Sequence, residues 1–179
     1  SSSDGTGKGQ FAWVNEIIWR EFYKYITYHY PHVSQGKSFN PKYDLISWRE
    51  DEDSFIKWCE GKTGIPIVDA AMRQLNQTKW MHNRLRMITA MFLSKNLLID
   101  WRKGERYFME NLIDGDFCSN NGGWQWSAST GVDASPYFRI FNPITQSEKF
   151  DPDGKFIKKF VPELFNCPSN EIHNPSKET

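Results

Sequence analysis

Apolar and aromatic residues recur at helical spacing along most of the chain. Between Phe11 and Tyr30 they stand at Trp13, Ile17, Ile18, Phe22, Tyr25 and Ile26, and Pro31 ends the pattern. Five more segments with helical patterning follow: DSFIKWCEG, IPIVDAAMRQLNQT, MHNRLRMITAMFLSKNLLID, GERYFMENLI and GKFIKKFVPEL. No stretch alternates like a strand, and no internal repeat is found. The pattern therefore predicts an all-α fold.

The distribution of Gly, Ser and Pro divides the chain into three parts. Residues 1–10 are rich in Gly and Ser, which predicts a flexible leader. Residues 11–165 carry the helical patterns and form one predicted domain, interrupted by a Pro/Gly/Asn-bearing connection at 32–50. Residues 166–179 are a C-terminal tail.

Composition and charge restrict the possible function classes. The 179 residues carry 22 basic and 22 acidic side chains, so no global field draws the chain to DNA or to an anionic membrane. Contact with a nucleic acid would need a local patch. The three cysteines, Cys59, Cys118 and Cys167, lack metal-site spacing, and their odd number argues against a disulfide framework. We expect reduced thiols in a cytoplasmic protein, with no metal site and no membrane span.

The stretch DGDFCSNNGGWQWSAST, residues 114–130, places Trp124 and Trp126 next to a segment with the composition of a turn. A calcium loop is a poor fit, because Cys118 and Ser119 fall where a ligand and a glycine are required. The string EGKTG resembles the end of a phosphate-binding loop, but its first glycine is missing and a helix precedes it. Neither motif explains the two tryptophans.

Two predicted helices each present a face that mixes aromatic, amide and charged side chains. One face carries Glu16, Trp19, Arg20 and Tyr23, and the other carries Trp80, Asn83, Arg84 and Met87. Solvated stripes, or a simple Glu16–Arg20 surface pair, would also give such spacing. Solvated faces rarely display Trp and Met beside an amide, so a platform for a flat ligand or an unstacked base is the sharper interpretation.

Six strings in register resemble the photolyase/cryptochrome family: WVNEIIWREFY, GKTGIPIVDAAMRQL, WMHNRLRM, LLIDWRKGERYFM, LIDGDFCSNNGGWQW and SPYFRIFNP. The similarity runs from Trp13 to about Leu164 and is greatest to the class I enzymes that repair cyclobutane pyrimidine dimers. The resemblance implies a helical FAD-binding domain. It also implies a fragment, because the α/β antenna domain and the Thr/Ser-rich segment that grips the FAD phosphates are not in the sequence. An antenna chromophore is expected only with that further domain.

The resemblance assigns residues around the cofactor. Asp114 would pair with Arg86, Asn120 would hold its amide against flavin N5, and Gly122 and Gly123 would let the backbone approach the ring. The full set implied for FAD is Trp13, Glu16, Trp80, Asn83, Arg86, Asp114, Gly115, Asp116 and Asn120.

The resemblance also assigns substrate and electron-transfer residues. Glu16 and Asn120 are the implied catalytic residues, Glu16 as the carboxyl that hydrogen-bonds the dimer. The residues implied for DNA or the dimer are Glu16, Trp19, Arg20, Tyr23, Asn83, Arg84, Met87, Trp126, Arg139 and Gln146. An electron path from the surface to the flavin would run through Trp48, Trp101 and Trp124.

The implied activity is that of a carbon–carbon lyase: light-driven electron transfer from reduced FAD splits a flipped-out dimer in DNA. Two alternatives stay open, a cryptochrome-type photoreceptor without repair and a generic helical DNA-binding module. Met87 and Asn120 favour dimer repair. We expect the full-length protein to be a monomer, and the isolated chain to bind FAD weakly and to self-associate.

Overall fold

The computed structural model describes residues 4–132, 134, 136 and 139–175, and regular structure in these residues is helical throughout. The α-helices are α1 (Asp4–His29), α2 (Glu52–Glu60), α3 (Pro66–Thr78), α4 (Asn83–Met91), α5 (Trp101–Asn111), α6 (Phe117–Ala128), α7 (Pro143–Phe150) and α8 (Lys155–Phe160). Three 3-10 turns cover Pro31–Gln35, Pro41–Leu45 and Pro162–Leu164, and a π-helical turn covers Phe92–Asn96. The all-α prediction is confirmed.

Local capping chemistry explains the bounds of α2 and α3. The carboxylate of Asp51 accepts from the backbone N–H of Ser54 at 3.0 Å and caps the start of α2. Gly61 ends α2 with φ 66°, in the left-handed region that glycine enters at little cost. Pro66 then stands at the start of α3, where its missing N–H costs nothing. Both helices lie where the sequence predicts them.

Helix α3 forms the centre of the apolar core. It packs against α2, α4, α7 and α8, and most of its length is buried: Ile67, Val68, Ala70, Ala71, Met72 and Leu75. Trp58 of α2 is fully buried against this core, and its Nε1 donates to the carbonyl of Thr89 at 3.1 Å. The indole thus buries its apolar rings while its N–H stays paired.

Helix α6 lies between α1, α4 and α5, and two glycines allow the close approach. A Cβ on Gly104 of α5 would lie 2.1 Å from the ring of Trp124, and a Cβ on Gly122 would lie 2.1 Å from the ring of Tyr23. Gly122 therefore faces α1, and its assignment to close approach of a cofactor is wrong. A Cβ on Gly123 would have no neighbouring atom within 4 Å.

Several elements differ from those predicted. Residues 4–10, the expected flexible leader, form the first turns of α1. Helix α4 begins at Asn83, so Trp80 lies before it and not on one of its faces. Helices α6 and α7 were not predicted at all. Within the expected tail, Ile172 is buried and packs against Gly154. Within the described chain, no helix combines the length and apolar character needed to cross a bilayer.

Candidate functional site

A cleft of about 1090 Å³ opens between α1, the start of α4, the turn at 114–116 and α6. It gathers most of the residues singled out from the sequence: Glu16, Trp19, Arg20, Tyr23, Trp80, Asn83, Arg86, Met87, Asp114, Gly115, Asp116, Asn120, Trp124 and Trp126. These residues come from segments that run from Glu16 to Trp126. The cleft is therefore a product of the tertiary fold.

Helix α1 forms one wall of the cleft with the face predicted from its spacing. Glu16, Trp19, Arg20 and Tyr23 all line it, and the rings of Trp19 and Tyr23 are stacked with centroids 6.0 Å apart. Arg20 Nε lies 3.8 Å from Asp116 Oδ2, so its ion-pair partner is the N-cap residue of α6 and not Glu16. Glu16 lines the cleft without an ion-pair partner among the described residues.

An arginine–carboxylate pair ties α4 to the turn before α6. Arg86 Nη2 donates to both carboxylate oxygens of Asp114, at 2.9 and 2.8 Å, and Arg86 Nε donates to the carbonyl of Met81 at 2.7 Å. The predicted pairing of Arg86 with Asp114 is thus present in the structure. It places a fixed cation and a fixed anion side by side at the edge of the cleft.

Asp116 starts α6 and supports the same turn. Its carboxylate accepts from the backbone N–H of Ser119 at 3.0 Å, which caps the helix. Burial raises the pKa of Asp116, but the hydrogen bonds from Ser119 and the charge of Arg20 outweigh it, and the pKa lies below its ordinary value. The residue is therefore an anion at neutral pH, placed at the positive end of the helix dipole.

The side chain of Asn120 is oriented by a hydrogen bond to α5. Its Nδ2 donates to the backbone carbonyl of Glu105 at 2.9 Å, so its Oδ1 is the half of the amide left to accept a hydrogen bond. Nothing in the sequence pattern marked Glu105, because the contact uses its backbone carbonyl, which every residue type carries.

A buried polar network continues from Glu105 away from the cleft. Asn121 Nδ2 donates to Glu105 Oε1 at 2.9 Å, and Gln125 Nε2 donates to Asn121 Oδ1 at 3.0 Å. Gln125 Oε1 then accepts from the backbone N–H of Phe39 at 2.8 Å. Burial raises the pKa of Glu105, partly offset by its hydrogen bond from Asn121. The network fixes α6 against α5 and the loop after α1.

Trp124 forms the apolar floor of the cleft. It is 2% exposed, and its ring contacts Phe108 edge-on at 5.0 Å and Trp58 at 6.0 Å between centroids. Its Nε1 is buried and finds no hydrogen-bond partner among the described residues. An unpaired buried N–H costs about 1–3 kcal/mol, and the N–H of Trp101 is likewise buried and without a partner among the described residues.

The other two tryptophans of the expected electron path lie outside the cleft. Trp101 is fully buried, and Trp48 is partly buried against the same core. The backbone N–H of Arg49, next to Trp48, donates to the carbonyl of Leu98 at 2.7 Å. This bond joins the segment of Trp48 to the segment that leads into Trp101, and exposure decreases from Trp48 towards Trp101 and Trp124.

Four residues that the resemblance assigns to FAD or to DNA do not line the cleft. Trp13 is 68% exposed on α1. Arg84 turns away from the cleft, with its guanidinium carbon 5.8 Å from the ring centroid of Phe141 and 4.9 Å from that of Phe150. Arg139 is exposed on the segment after α6, and Gln146 lies half-buried on α7. Arg84 therefore packs on α7 and the segment before it, whereas Met87 of the same helix lines the cleft.

Comparison with known proteins agrees with this geometry. The family described as the FAD binding domain of DNA photolyase matches residues 13–179. The chain is 59% identical over 175 residues to the deoxyribodipyrimidine photo-lyase of Vibrio cholerae, covering 98% of this chain and 37% of that protein. It is 60% identical over 166 residues to the enzyme of the same name from Escherichia coli, covering 93% and 35%. The chain thus spans little more than a third of the length of these relatives.

Solved structures give the same result. A class III photolyase from Agrobacterium tumefaciens superposes with a TM-score of 0.89 at 53% identity, covering 93% of this chain and 35% of that chain. A cryptochrome from Synechocystis superposes with a TM-score of 0.86 at 41% identity, covering 97% and 35%. The cleft, its paired Arg86 and Asp114, and the family match over residues 13–179 lead to one conclusion: the chain belongs to the family of FAD-binding domains of DNA photolyases.

Proposed function

We propose that this chain forms the flavin and substrate side of a DNA photolyase, a carbon–carbon lyase that uses light to split cyclobutane pyrimidine dimers in DNA. The observation that carries the proposal is that one cleft is lined both by aromatic or apolar side chains and by polar groups held in fixed positions. Trp19, Met87 and Trp126 supply apolar and aromatic surface, and the Arg86–Asp114 pair with Asn120 supplies fixed polar groups. A flat cofactor and two bases flipped out of the duplex require this combination.

The residues of the cleft fit FAD. The Oδ1 of Asn120 offers an acceptor, because its Nδ2 is already used by the carbonyl of Glu105. Gly123 presents no side chain to the cleft. The set proposed to hold the cofactor is Trp13, Glu16, Trp80, Asn83, Arg86, Asp114, Gly115, Asp116 and Asn120, of which Trp13 has the least support because it lies outside the cleft. FAD, when bound, supplies the light-driven one-electron chemistry.

The protein's own contribution is to bind and orient the dimer. A dimer pairs and stacks poorly, so flipping it out of the duplex costs less than flipping ordinary bases. Trp19 and Trp126 would then stack on it, and stacking of a base on an aromatic ring is worth roughly 1–3 kcal/mol. The carboxyl of Glu16 would hydrogen-bond the dimer from α1. The Glu105 carbonyl holds the amide of Asn120 in a fixed orientation, ready to accept a hydrogen bond.

Affinity for DNA must come from a local patch, since the chain has no net charge. Arg84, Arg139 and Lys149 support such a patch. Arg84 and Lys149 both lie against the ring of Phe150, at 4.9 and 5.4 Å from its centroid, and Arg139 is exposed. Contacts between these cations and DNA phosphates release counterions, so affinity for DNA should fall as the salt concentration rises. Arg20, Tyr23, Asn83 and Gln146 complete the set proposed to contact DNA.

We further infer that Trp48, Trp101 and Trp124 carry electrons from the surface to the flavin. Replacing Trp48 by Phe should block photoreduction of the oxidised protein. Repair should persist once the flavin is reduced chemically, because the path is not needed for that step. Absorbance changes under blue light would measure both. Unchanged photoreduction in the Trp48 variant would remove it from the path.

The setting proposed for the protein is the cytoplasm, supported by three free thiols. The whole protein is proposed to act as a monomer. The isolated chain should self-associate through exposed apolar side chains of α1, including Phe11, Trp13 and Ile18. Sedimentation velocity of the 179-residue chain measures this directly, and a clean monomer would contradict it.

The proposed function is tested by light-dependent loss of thymine dimers from DNA, using the full-length protein loaded with reduced flavin. Trp19→Ala should weaken binding to dimer-containing DNA by about tenfold and leave binding to undamaged DNA nearly unchanged. Tyr28→Ala, on the same helix but 80% exposed and outside the cleft, is the matched control. Flavin and DNA binding without loss of dimers would instead favour the cryptochrome-type photoreceptor.

A further inference from the structure

Lys95 makes an unusual contact with the segment that follows α6. It lies in the π-helical turn Phe92–Asn96, and its Nζ donates to the carbonyl of Arg139 at 2.9 Å and reaches the carbonyl of Pro136 at 3.4 Å. The backbone N–H of Arg139 donates to the same Pro136 carbonyl at 2.8 Å. One ammonium therefore contacts the backbone of both residues.

The contact costs free energy. Lys95 is half-buried, and among the ion pairs of the described residues it takes part in none. Burial lowers the pKa of Lys95 to about 8, which reflects the penalty of holding a cation away from water without a carboxylate. A lysine that is partly buried without a carboxylate partner indicates a structural or functional role. π-helical turns such as Phe92–Asn96 also occur frequently at functional sites.

The side chain of Arg139 is exposed, so the contact that fixes this residue is made through its backbone. An arginine that reaches a phosphate loses less conformational entropy on binding when its backbone is already held. An ammonium is suited to holding this backbone, because its three N–H donors can bind two carbonyl oxygens at once.

We propose that Lys95 is a positioning residue that holds the backbone of Pro136 and Arg139 and so presents Arg139 to the DNA backbone. The proposal rests on the proposed function, because it assumes that Arg139 contacts DNA. It adds a specific cause for the orientation of Arg139, located 44 positions earlier in the chain.

A double-mutant cycle in the full-length protein tests this. Lys95→Met, Arg139→Ala and the double variant are compared for affinity to a dimer-containing duplex at several salt concentrations. Lys57→Met, at an exposed position of α2, is the charge-matched control. Lys95→Met should weaken binding by about tenfold in the presence of Arg139 and by less than about threefold in the Arg139→Ala background. Lys57→Met should change little in either.

A second readout does not involve DNA. The amide proton of Arg139 should exchange with solvent faster in Lys95→Met than in the wild type, because its hydrogen bond to the Pro136 carbonyl is no longer supported by the ammonium. If the Met variant does not fold, Lys95→Gln carries the test with smaller expected effects, since its amide can still donate to one of the two carbonyls. Additive losses in the cycle, or unchanged exchange at Arg139, would overturn the inference alone. Wild-type DNA affinity in Arg139→Ala would overturn it together with the proposed role of Arg139.

Discussion

Helices α3 and α6 are nearly equal in length and central to the fold, yet they are buried by different chemistry. Helix α3 buries aliphatic side chains such as Val68, Met72 and Leu75 among four other helices. Helix α6 buries Asn121, Gln125 and Ser127 beside the apolar Trp124 and Ala128. The difference follows from their surroundings, because α3 meets apolar helices on most sides and α6 meets a cleft as well as helices.

The comparison teaches how a helix can serve a site. The buried amides of α6 cannot pack in many ways, since each donor and acceptor needs a partner, so they hold the helix in one orientation. That orientation directs Asn120 and Trp124 into the cleft. Helix α3 also has one buried carboxylate, Asp69, which accepts from the backbone N–H groups of Thr63 and Gly64 at 2.7 and 2.9 Å. The carboxylate of Asp69 thus stabilises the loop before α3 and does not line the cleft.

The largest expected effect distinguishes the two adjacent glycines of α6. Gly122→Ala should lower the free energy of unfolding by about 3 kcal/mol, at the upper end for overpacking, because its Cβ would lie 2.1 Å from the ring of Tyr23. Gly123→Ala should raise it by up to about 1 kcal/mol, the gain in helix propensity, because its Cβ would meet nothing within 4 Å. Urea unfolding of the flavin-free protein measures both. Changes of the same sign would show that α1 is not packed on α6 as described.

A smaller effect compares the two helices directly by placing methionine in each. Gln125→Met should cost about 2 kcal/mol, because the N–H of Phe39 and the carbonyl oxygen of Asn121 lose their partner inside the protein. Leu75→Met, in the apolar core of α3, should cost less than about 1.5 kcal/mol, as volume-conserving swaps do. The midpoints of urea unfolding give both values. An equal or smaller loss at Gln125 would mean that its network does not stabilise the fold.

The sequence predicts the elements whose signals are local. Asp51, Gly61 and Pro66 define the ends of α2 and α3 through caps within a few residues. Helix α6 was missed because its interior is polar and glycine-bearing, so no apolar stripe marks it. Its N-cap, Asp116, was the one available signal, and Asn142 before Pro143 was the corresponding signal for α7.

The candidate site depended more on resemblance than on pattern. Spacing alone grouped Glu16, Trp19, Arg20 and Tyr23, and these do line one wall of the cleft. Spacing failed for Trp80, because the helix begins only at Asn83. It also failed for Arg84, which packs on Phe141 and Phe150 outside the cleft. The backbone contacts of Glu105 and of Lys95 could not be predicted, since they depend on how distant segments meet.

Binding of FAD to two carboxylate variants tests the central claim, that the cleft beside Asp114 holds the flavin. Asp114 and Glu163 are closely matched: each accepts from one arginine nitrogen at 2.9 and 2.8 Å, Arg86 in the cleft and Arg73 outside it. Both pairs are partly exposed, so each should be worth less than about 1 kcal/mol to the fold.

The measurement is calorimetric titration of FAD into the flavin-free, full-length protein. Asp114→Asn should weaken FAD binding by about tenfold or more, because hydrogen bonds to charged groups are worth about 1.5–3 kcal/mol. Glu163→Gln should bind FAD like the wild type. Equal affinities in all three proteins, with stoichiometric binding, would place the flavin elsewhere and contradict the account.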